Sequence, residues 1–141
     1  MRGTYYFAYG RNLDEGEMRE RCPNAKKTGK AALPEHEFFI NDRGVASIMP
    51  NRAHWVEGLL WILTADDERE LDRYEGVGLD LYRKTRVTVQ REDGHSVEAL
   101  VYVATSTERG KSGADYLDRV IRNATCHGFS SQYIAHLRSL S

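Results

Sequence analysis

Strand-like segments follow one another along this chain without regularly alternating helices. Apolar or alternating patterns predict six or seven strands, at residues 4–9, 27–33, 37–41, 45–49, 55–63, 82–90 and 97–104. Helices are predicted at residues 14–20, 64–74 and 114–125 and after Ser130. Because no strand–helix–strand unit repeats, this order favours an α+β fold with a curled, mixed or antiparallel sheet or a small barrel over a doubly wound sheet.

The strand at residues 55–63 is almost entirely apolar. Glu57 is its one polar member, which predicts a central position in the sheet. Gly58 within it indicates a bulge or a close approach of another backbone. Trp55 and Trp61 fall on the same face of the strand, and we expect both to belong to the core rather than to a ligand site.

Length and charge bound the functional classes. A chain of 141 residues predicts one domain, residues 1–141. The formal charge of −1 does not favour a nucleic-acid or acidic-membrane partner, and no apolar run approaches the roughly 20 residues of a membrane span. The N-terminus has no signal-peptide core, so we expect a cytoplasmic protein in which Cys22 and Cys126 are reduced thiols.

The segment Tyr5–Leu13 begins as an aromatic strand, breaks at Gly10 and leads into an acidic helix start at Asp14. Such a junction leaves backbone N–H groups free, and these attract anions such as carboxylates. Gly10 has no Cβ, so a ligand can approach its backbone closely. Many strand–helix junctions share this pattern, and alone it does not identify a site.

Glu75 ends a predicted helix and is followed by Gly76, Val77 and Gly78. A carboxylate at such a helix end can lean into a cavity, where desolvation raises its pKa and suits it to moving a proton. The alternative is an ordinary surface glutamate before a C-cap glycine, and the pattern alone favours that alternative.

Several motifs taken together resemble the γ-glutamylcyclotransferase-like (AIG2-like) family. Residues 9–13 resemble that family's Tyr-Gly-Ser-Asn-Leu loop, and residues 71–77 its Leu-Asp-x-x-Glu-Gly-Val segment. Residues 56–61 resemble its V-x-G-x-x-W strand, and Tyr82 follows Glu75 at the expected spacing of seven residues. The similarity continues through Tyr102, Tyr116 and the segment from Gly128 to Tyr133, so it spans the chain.

The resemblance implies a small β-barrel with peripheral helices that cyclises a γ-glutamyl substrate to 5-oxoproline and releases an amine. It implies that Glu75 takes a proton from the substrate's α-ammonium group and delivers it to the departing nitrogen. The substrate-binding residues that it implies are Tyr6, Tyr9, Gly10, Arg11, Asn12, Leu13, Tyr82 and Tyr116. It implies no metal and no cofactor, and the five histidines have no ligand spacing.

Two departures from the family pattern leave alternatives open. Arg11 replaces the usual serine, and residues 113–115 replace the proline that often precedes the tyrosine at 116. Arg11 could pair with a ligand carboxylate or fill the pocket, which would make the chain a catalytically silent ligand-binding module. Tyr116 could close on the ligand or pack at the edge of the core. The polar segment 106–113 is predicted to be a mobile loop.

The nature of the substrate and of other partners is also open. The released group could be an amino acid, an amine or a biosynthetic intermediate protected by the γ-glutamyl group. A small nucleic-acid-binding barrel is a further reading, which rests on the basic residues Arg83, Lys84 and Arg86. A solvent-exposed face explains these residues better. The chain is expected to act as a monomer or homodimer without nucleic acid or membrane.

Overall fold

The computed structural model describes residues 3–141 and has five strands, four helices and two short 3₁₀ turns. The strands are β1 (Thr4–Ala8), β2 (Lys26–Ile40), β3 (Ala46–Leu63), β4 (Tyr82–Arg91) and β5 (Ser96–Ala104). The helices are α1 (Glu15–Arg21), α2 (Ala65–Tyr74), α3 (Ala114–Cys126) and α4 (Ser131–Arg138). The 3₁₀ turns are Arg11–Leu13 and Val77–Leu79.

The strands form a closed barrel in the order β1-β3-β2-β4-β5. All neighbours are antiparallel except β1 and β5, which close the barrel in parallel with Tyr6 opposite Leu100. The sequence-based prediction of an α+β fold with a small mixed barrel and peripheral helices is therefore confirmed.

Two long strands replace four of the predicted short ones. Segments 27–33 and 37–41 are halves of β2, and segments 45–49 and 55–63 are halves of β3. The register between these strands shifts from Pro34 to His36, and Glu35 between them has a left-handed φ of 58°. A bulge of this kind lets a strand bend and continue past a proline that cannot donate a hydrogen bond. The sequence-based prediction of four separate strands in this part of the chain is therefore wrong.

Strand β3 lies between β1 and β2, as its apolar sequence predicts. The expected close approach of another backbone at Gly58 is also present, because a Cβ there would clash with the backbone carbonyl oxygen of Ala8 and would lie 2.8 Å from two ring carbons of Phe7. Trp61 is fully buried, and the guanidinium of Arg19 in α1 lies over its ring. Trp55 is 41% exposed, so the core prediction is wrong for this residue. It pairs with Pro34 beside the bulge, and its indole Nε1 donates to Glu57.

Helix α2 starts with a reciprocal cap that fixes where it begins. The Thr64 hydroxyl accepts from the Asp67 amide at 3.2 Å, and the Asp67 carboxylate accepts from the Thr64 amide at 3.0 Å. The helix then runs for ten residues to Tyr74 and is followed by Glu75. None of the helices in residues 3–141 has the length and apolar character that a membrane crossing requires.

The segment between β5 and α3, predicted to be a mobile loop, has several contacts with strand β2. The Arg109 guanidinium donates to both carboxylate oxygens of the buried Glu37 at 3.0 Å. The Gly110 amide donates to the Ile40 carbonyl at 2.8 Å. These bonds fix the path by which the chain reaches α3, which carries Tyr116.

Candidate functional site

A pocket of about 280 Å³ opens where β1, the end of α2, the start of β4 and the start of α3 meet. Its lining is mostly aromatic and consists of Tyr6, Phe7, Tyr9, Gly10, Arg11, Asn12, Val45, Ala46, Tyr74, Glu75, Leu81, Tyr82, Tyr102 and Tyr116. Eight of the nine site residues expected from the sequence lie in this set. The structure thus brings together residues that are more than a hundred positions apart in the chain.

Leu13 is the expected site residue that lies elsewhere. Its side chain is fully buried in the hydrophobic core. Its carbonyl oxygen lies 2.6 Å from Nε2 of His127, at the end of α3. Leu13 therefore joins the 3₁₀ turn to the core, and its side chain does not line the pocket.

Glu75 reaches the pocket because of the backbone turn that ends α2. Its amide still donates to Leu71 in the helical manner, at 2.8 Å. The next residue, Gly76, has a left-handed φ of 66°, which favours glycine. A Cβ at Gly76 would also lie 2.8 Å from a methyl carbon of Leu81. The chain can therefore leave the helix directly after Glu75 while the carboxyl group stays in the pocket.

Burial sets the ionisation of Glu75. Desolvation raises the pKa of its carboxyl group from 4.5 to about 7, and Arg21 opposes this rise in part. Among residues 3–141, no group donates a hydrogen bond to the carboxylate that would favour its charged form. A carboxyl group with a pKa near neutrality can accept a proton in one step and return it in the next.

The hydroxyl groups of three pocket tyrosines donate hydrogen bonds to other groups of the protein. Tyr9 donates to the carbonyl of Tyr102 at 2.5 Å, and Tyr82 donates to the carbonyl of Ala46 at 2.7 Å. Tyr102 donates to a carboxylate oxygen of Asp72 at 2.7 Å. Burial raises the pKa of each phenol, so all three remain neutral. These tyrosines fix the walls of the pocket.

Tyr6 and Tyr116 differ because their oxygens accept hydrogen bonds. The Asn12 amide nitrogen donates to Tyr6 at 3.0 Å, and the Ala46 backbone amide donates to Tyr116 at 3.2 Å. In residues 3–141, neither phenol proton has an acceptor. Burial raises the pKa of Tyr116 to about 12 and that of Tyr6 further, so both hydroxyls keep their protons. The pocket therefore contains two neutral donors, and the Tyr116 hydroxyl would lie 3.5 Å from a Cβ at Gly10.

Arg11 is drawn toward helix α1 and lies at the rim of the pocket. Its guanidinium donates to the carboxylate of Glu17 at 3.0 and 3.4 Å. The same carboxylate accepts from Arg21 at 2.9 Å and from Arg119 at 3.4 Å. The serine-to-arginine departure therefore leaves the pocket open.

Sequence patterns gave no sign of several lining residues. Val45 and Ala46 lie where β2 turns into β3, and only the tertiary fold brings them to the pocket. Tyr74 precedes Glu75, and its ring lies 3.7 Å from the Arg21 guanidinium carbon. In residues 3–141, no three His, Cys, Asp or Glu side chains are grouped in a way that could hold a metal ion.

The raised pKa of Glu75 predicts a pH-dependent cost to stability. The folded protein favours the protonated carboxyl, so stability is full below pH 4.5 and falls as the pH rises to about 7. Glu75→Gln removes this cost, and we expect it to raise the free energy of unfolding by about 3 kcal/mol above pH 7. Below pH 4.5 the variant and the parent should be equally stable. Urea unfolding of the parent and the variant below pH 4.5 and above pH 7 measures these free energies. The same difference in the free energy of unfolding at both pH values would contradict the prediction.

Comparison with known proteins gives one family match. The model of the AIG2-like family matches residues 55–137, which is more than half of the chain. This range includes α2, Glu75, Tyr82 and Tyr116. No protein in the curated set of sequences matches the chain.

Solved structures share the whole fold at low sequence identity. One described as a gamma-glutamyl cyclotransferase is 23% identical, with a TM-score of 0.90 over 99% of this chain and 88% of that chain. An uncharacterized protein from Homo sapiens is 24% identical, with a TM-score of 0.89 over 100% of this chain and 89% of that one. An AIG2-like protein from Mus musculus is 20% identical, with a TM-score of 0.63 over 83% and 84% of the two chains. At these identities the likeness establishes the fold.

Proposed function

The chain belongs to the AIG2-like family, and from that membership we propose that it is a γ-glutamyl cyclotransferase. Its substrate would be a γ-glutamyl amino acid or amine, and its products 5-oxoproline and a free amine. The observation that carries the proposal is Glu75, a buried carboxyl group with a pKa of about 7 in an aromatic pocket.

Glu75 would serve as both base and acid. The α-amine of the substrate has a pKa near 8, so at neutral pH it is mostly an ammonium group that cannot attack a carbonyl. The Glu75 carboxylate takes one proton from it, and the freed amine attacks the γ-carbonyl carbon to close a five-membered ring. The C–N bond to the leaving group then breaks as Glu75 returns its proton to the departing nitrogen. The regenerated Glu75 carboxylate takes the extra proton from the ring nitrogen and passes it to the released amine, which leaves as an ammonium ion.

The pocket would supply orientation and charge stabilisation. Ring closure joins two ends of one molecule, so holding the γ-glutamyl chain folded removes much of the entropic barrier. The turn after β1 exposes backbone at Gly10, where a ligand carboxylate or a developing oxyanion can approach closely. The neutral hydroxyls of Tyr6 and Tyr116 are additional donors at the same site.

The alternative is a catalytically silent ligand-binding module whose pocket Arg11 has altered. Two features favour the enzyme. Arg11 is held by Glu17 at the rim, and the cavity remains open. A binding module has no use for a carboxyl group that destabilises the fold when it ionises, whereas a proton shuttle requires one.

The remaining properties belong to the same proposal. The partner would be a small γ-glutamyl molecule, which needs neither nucleic acid nor a membrane. The protein would act in the cytoplasm as a monomer or homodimer, without metal or cofactor.

The direct test measures 5-oxoproline released by the purified protein from a panel of γ-glutamyl amino acids and γ-glutamyl amines. We expect release from at least one member at neutral pH without added metal or cofactor. Binding of panel members by calorimetry, with no release from any of them, would favour the silent module instead. Which leaving groups are accepted would identify the substrate class.

A further inference from the structure

A chain of hydrogen bonds with a fixed direction runs from α1 to the pocket. Nη1 of Arg21 lies 2.5 Å from Oδ1 of Asn12, and Nδ2 of Asn12 lies 3.0 Å from the Tyr6 oxygen. A guanidinium group can donate but cannot accept, so it fixes the Asn12 carbonyl on its own side. The amide nitrogen of Asn12 must then face Tyr6 and donate to it.

The direction of these hydrogen bonds decides which groups can accept a hydrogen bond from the Tyr6 hydroxyl. Its oxygen accepts from Asn12, so its own proton has to find another acceptor. Tyr6 is only 4% exposed and lines the pocket with Glu75, and in residues 3–141 no group accepts that proton. A buried donor without a partner is costly and rare in folded proteins, which points to a partner supplied by the ligand.

Arg21 is held in place before any ligand arrives. Its Nη2 donates to Glu17 at 2.9 Å, and its guanidinium lies 3.7 Å above the Tyr74 ring. The side chain is 19% exposed. The position of the Asn12 amide is therefore set by α1 and not by the substrate.

We propose that Arg21 and Asn12 are positioning residues that direct the Tyr6 hydroxyl proton toward the γ-carbonyl oxygen of the substrate. This inference rests on the proposed cyclotransferase function. As the amine attacks, the C=O bond becomes a C–O⁻ bond, and the hydrogen bond from Tyr6 strengthens with the developing charge. The proton stays on Tyr6 throughout, and Glu75 alone moves a proton.

Asn12→Asp tests the direction of the chain. The new carboxylate still accepts from Arg21 but has no N–H group, so it accepts a hydrogen bond from the Tyr6 hydroxyl and turns that hydroxyl away from the substrate. Tyr6→Phe removes the hydroxyl itself. We expect each change to lower kcat about hundredfold with KM within threefold, because the lost bond forms mainly in the transition state.

The double variant Asn12→Asp/Tyr6→Phe separates the effect of the hydrogen-bond direction from the effect of the added negative charge. If Asn12 acts through Tyr6, Asn12→Asp should lower the pH-independent kcat much less in the Tyr6→Phe background than in the parent. Asn24→Asp makes the same chemical change at an exposed position outside the pocket and should leave kcat unchanged. Urea midpoints of all variants show whether each one is folded.

Several results would overturn the proposal. A Tyr6→Phe variant that keeps the kcat of the parent would do so, even if the Asn12→Asp variant did not fold. If Asn12→Asp lowers kcat equally with and without the Tyr6 hydroxyl, the negative charge of the new aspartate acts independently of Tyr6. A rise in KM without a fall in kcat would assign Tyr6 to ground-state binding. These results leave the cyclotransferase function standing, whereas absence of 5-oxoproline release from the parent would overturn both.

Discussion

Glu75→Gln is expected to lower kcat for 5-oxoproline release by about 10²- to 10⁴-fold, the usual contribution of a general acid–base group. Glutamine keeps the size of the side chain and cannot accept or return a proton. Because one carboxyl group would serve both the attack and the departure of the leaving group, no second residue replaces it. Substrate should still bind, so KM should change far less than kcat.

The dependence of kcat/KM on pH is a second test of the role of Glu75. Because Glu75 must begin as a carboxylate, kcat/KM of the parent should rise as the pH increases through about 7. It should fall again when the substrate amine loses its proton, near pH 8 or above. The residual activity of Glu75→Gln should lack the rise near pH 7 and should instead rise near pH 8, where the substrate amine loses its proton without help from the enzyme.

The matched control is Asp66→Asn in the first turn of the same helix. Its side chain is exposed and far from the pocket end of α2, and the change removes the same charge. We expect it to retain parental kcat. A Glu75→Gln variant with kcat within twofold of the parent would rule out Glu75 as the proton shuttle.

Gly58→Ala is expected to destabilise the barrel by about 3 kcal/mol, at the upper end for overpacking a core. The new methyl group would lie 2.8 Å from two ring carbons of Phe7 and closer than van der Waals contact to the Ala8 carbonyl oxygen. Both Phe7 and Ala8 are buried in β1, which pairs with β3 along its whole length. The Ala8 carbonyl cannot move without disturbing that pairing.

Gly78→Ala is the control for the loss of glycine flexibility. No atom lies within 4 Å of a Cβ at this position, so the change should be neutral or stabilise by a few tenths of a kcal/mol. Urea unfolding of both variants at one pH gives the comparison. Equal midpoints for Gly58→Ala and Gly78→Ala would mean that the contact between β1 and β3 is looser than the structure indicates.

The sequence was most informative where local chemistry decides the structure. The capping residues of α2, the glycine after Glu75 and the break at Gly10 each specify a turn from a few neighbouring residues. The apolar sequence around Gly58 indicated that its strand is central in the sheet. These local signals, joined by the family resemblance, were enough to predict the barrel and most residues of the pocket.

Long-range effects were not predictable in the same way. Proline at 34 reads as a strand end, yet pairing with β3 continues on both sides of it through a bulge. Trp55 has the sequence pattern of a core residue, yet it is 41% exposed beside the bulge in β2. The direction of the Tyr6 proton depends on Arg21, which only the folded packing of α1 brings near.

The parallel contact between β1 and β5 has a consequence for synthesis on the ribosome. Tyr6 meets Leu100, so the first strand is made long before the strand that closes the barrel beside it. Until β5 leaves the exit tunnel, the aromatic β1 has one open edge, and such edges pair readily with other chains. We expect nascent chains stalled before residue 96 to bind chaperones and to be sensitive to protease, and the full-length chain released from the ribosome to be resistant.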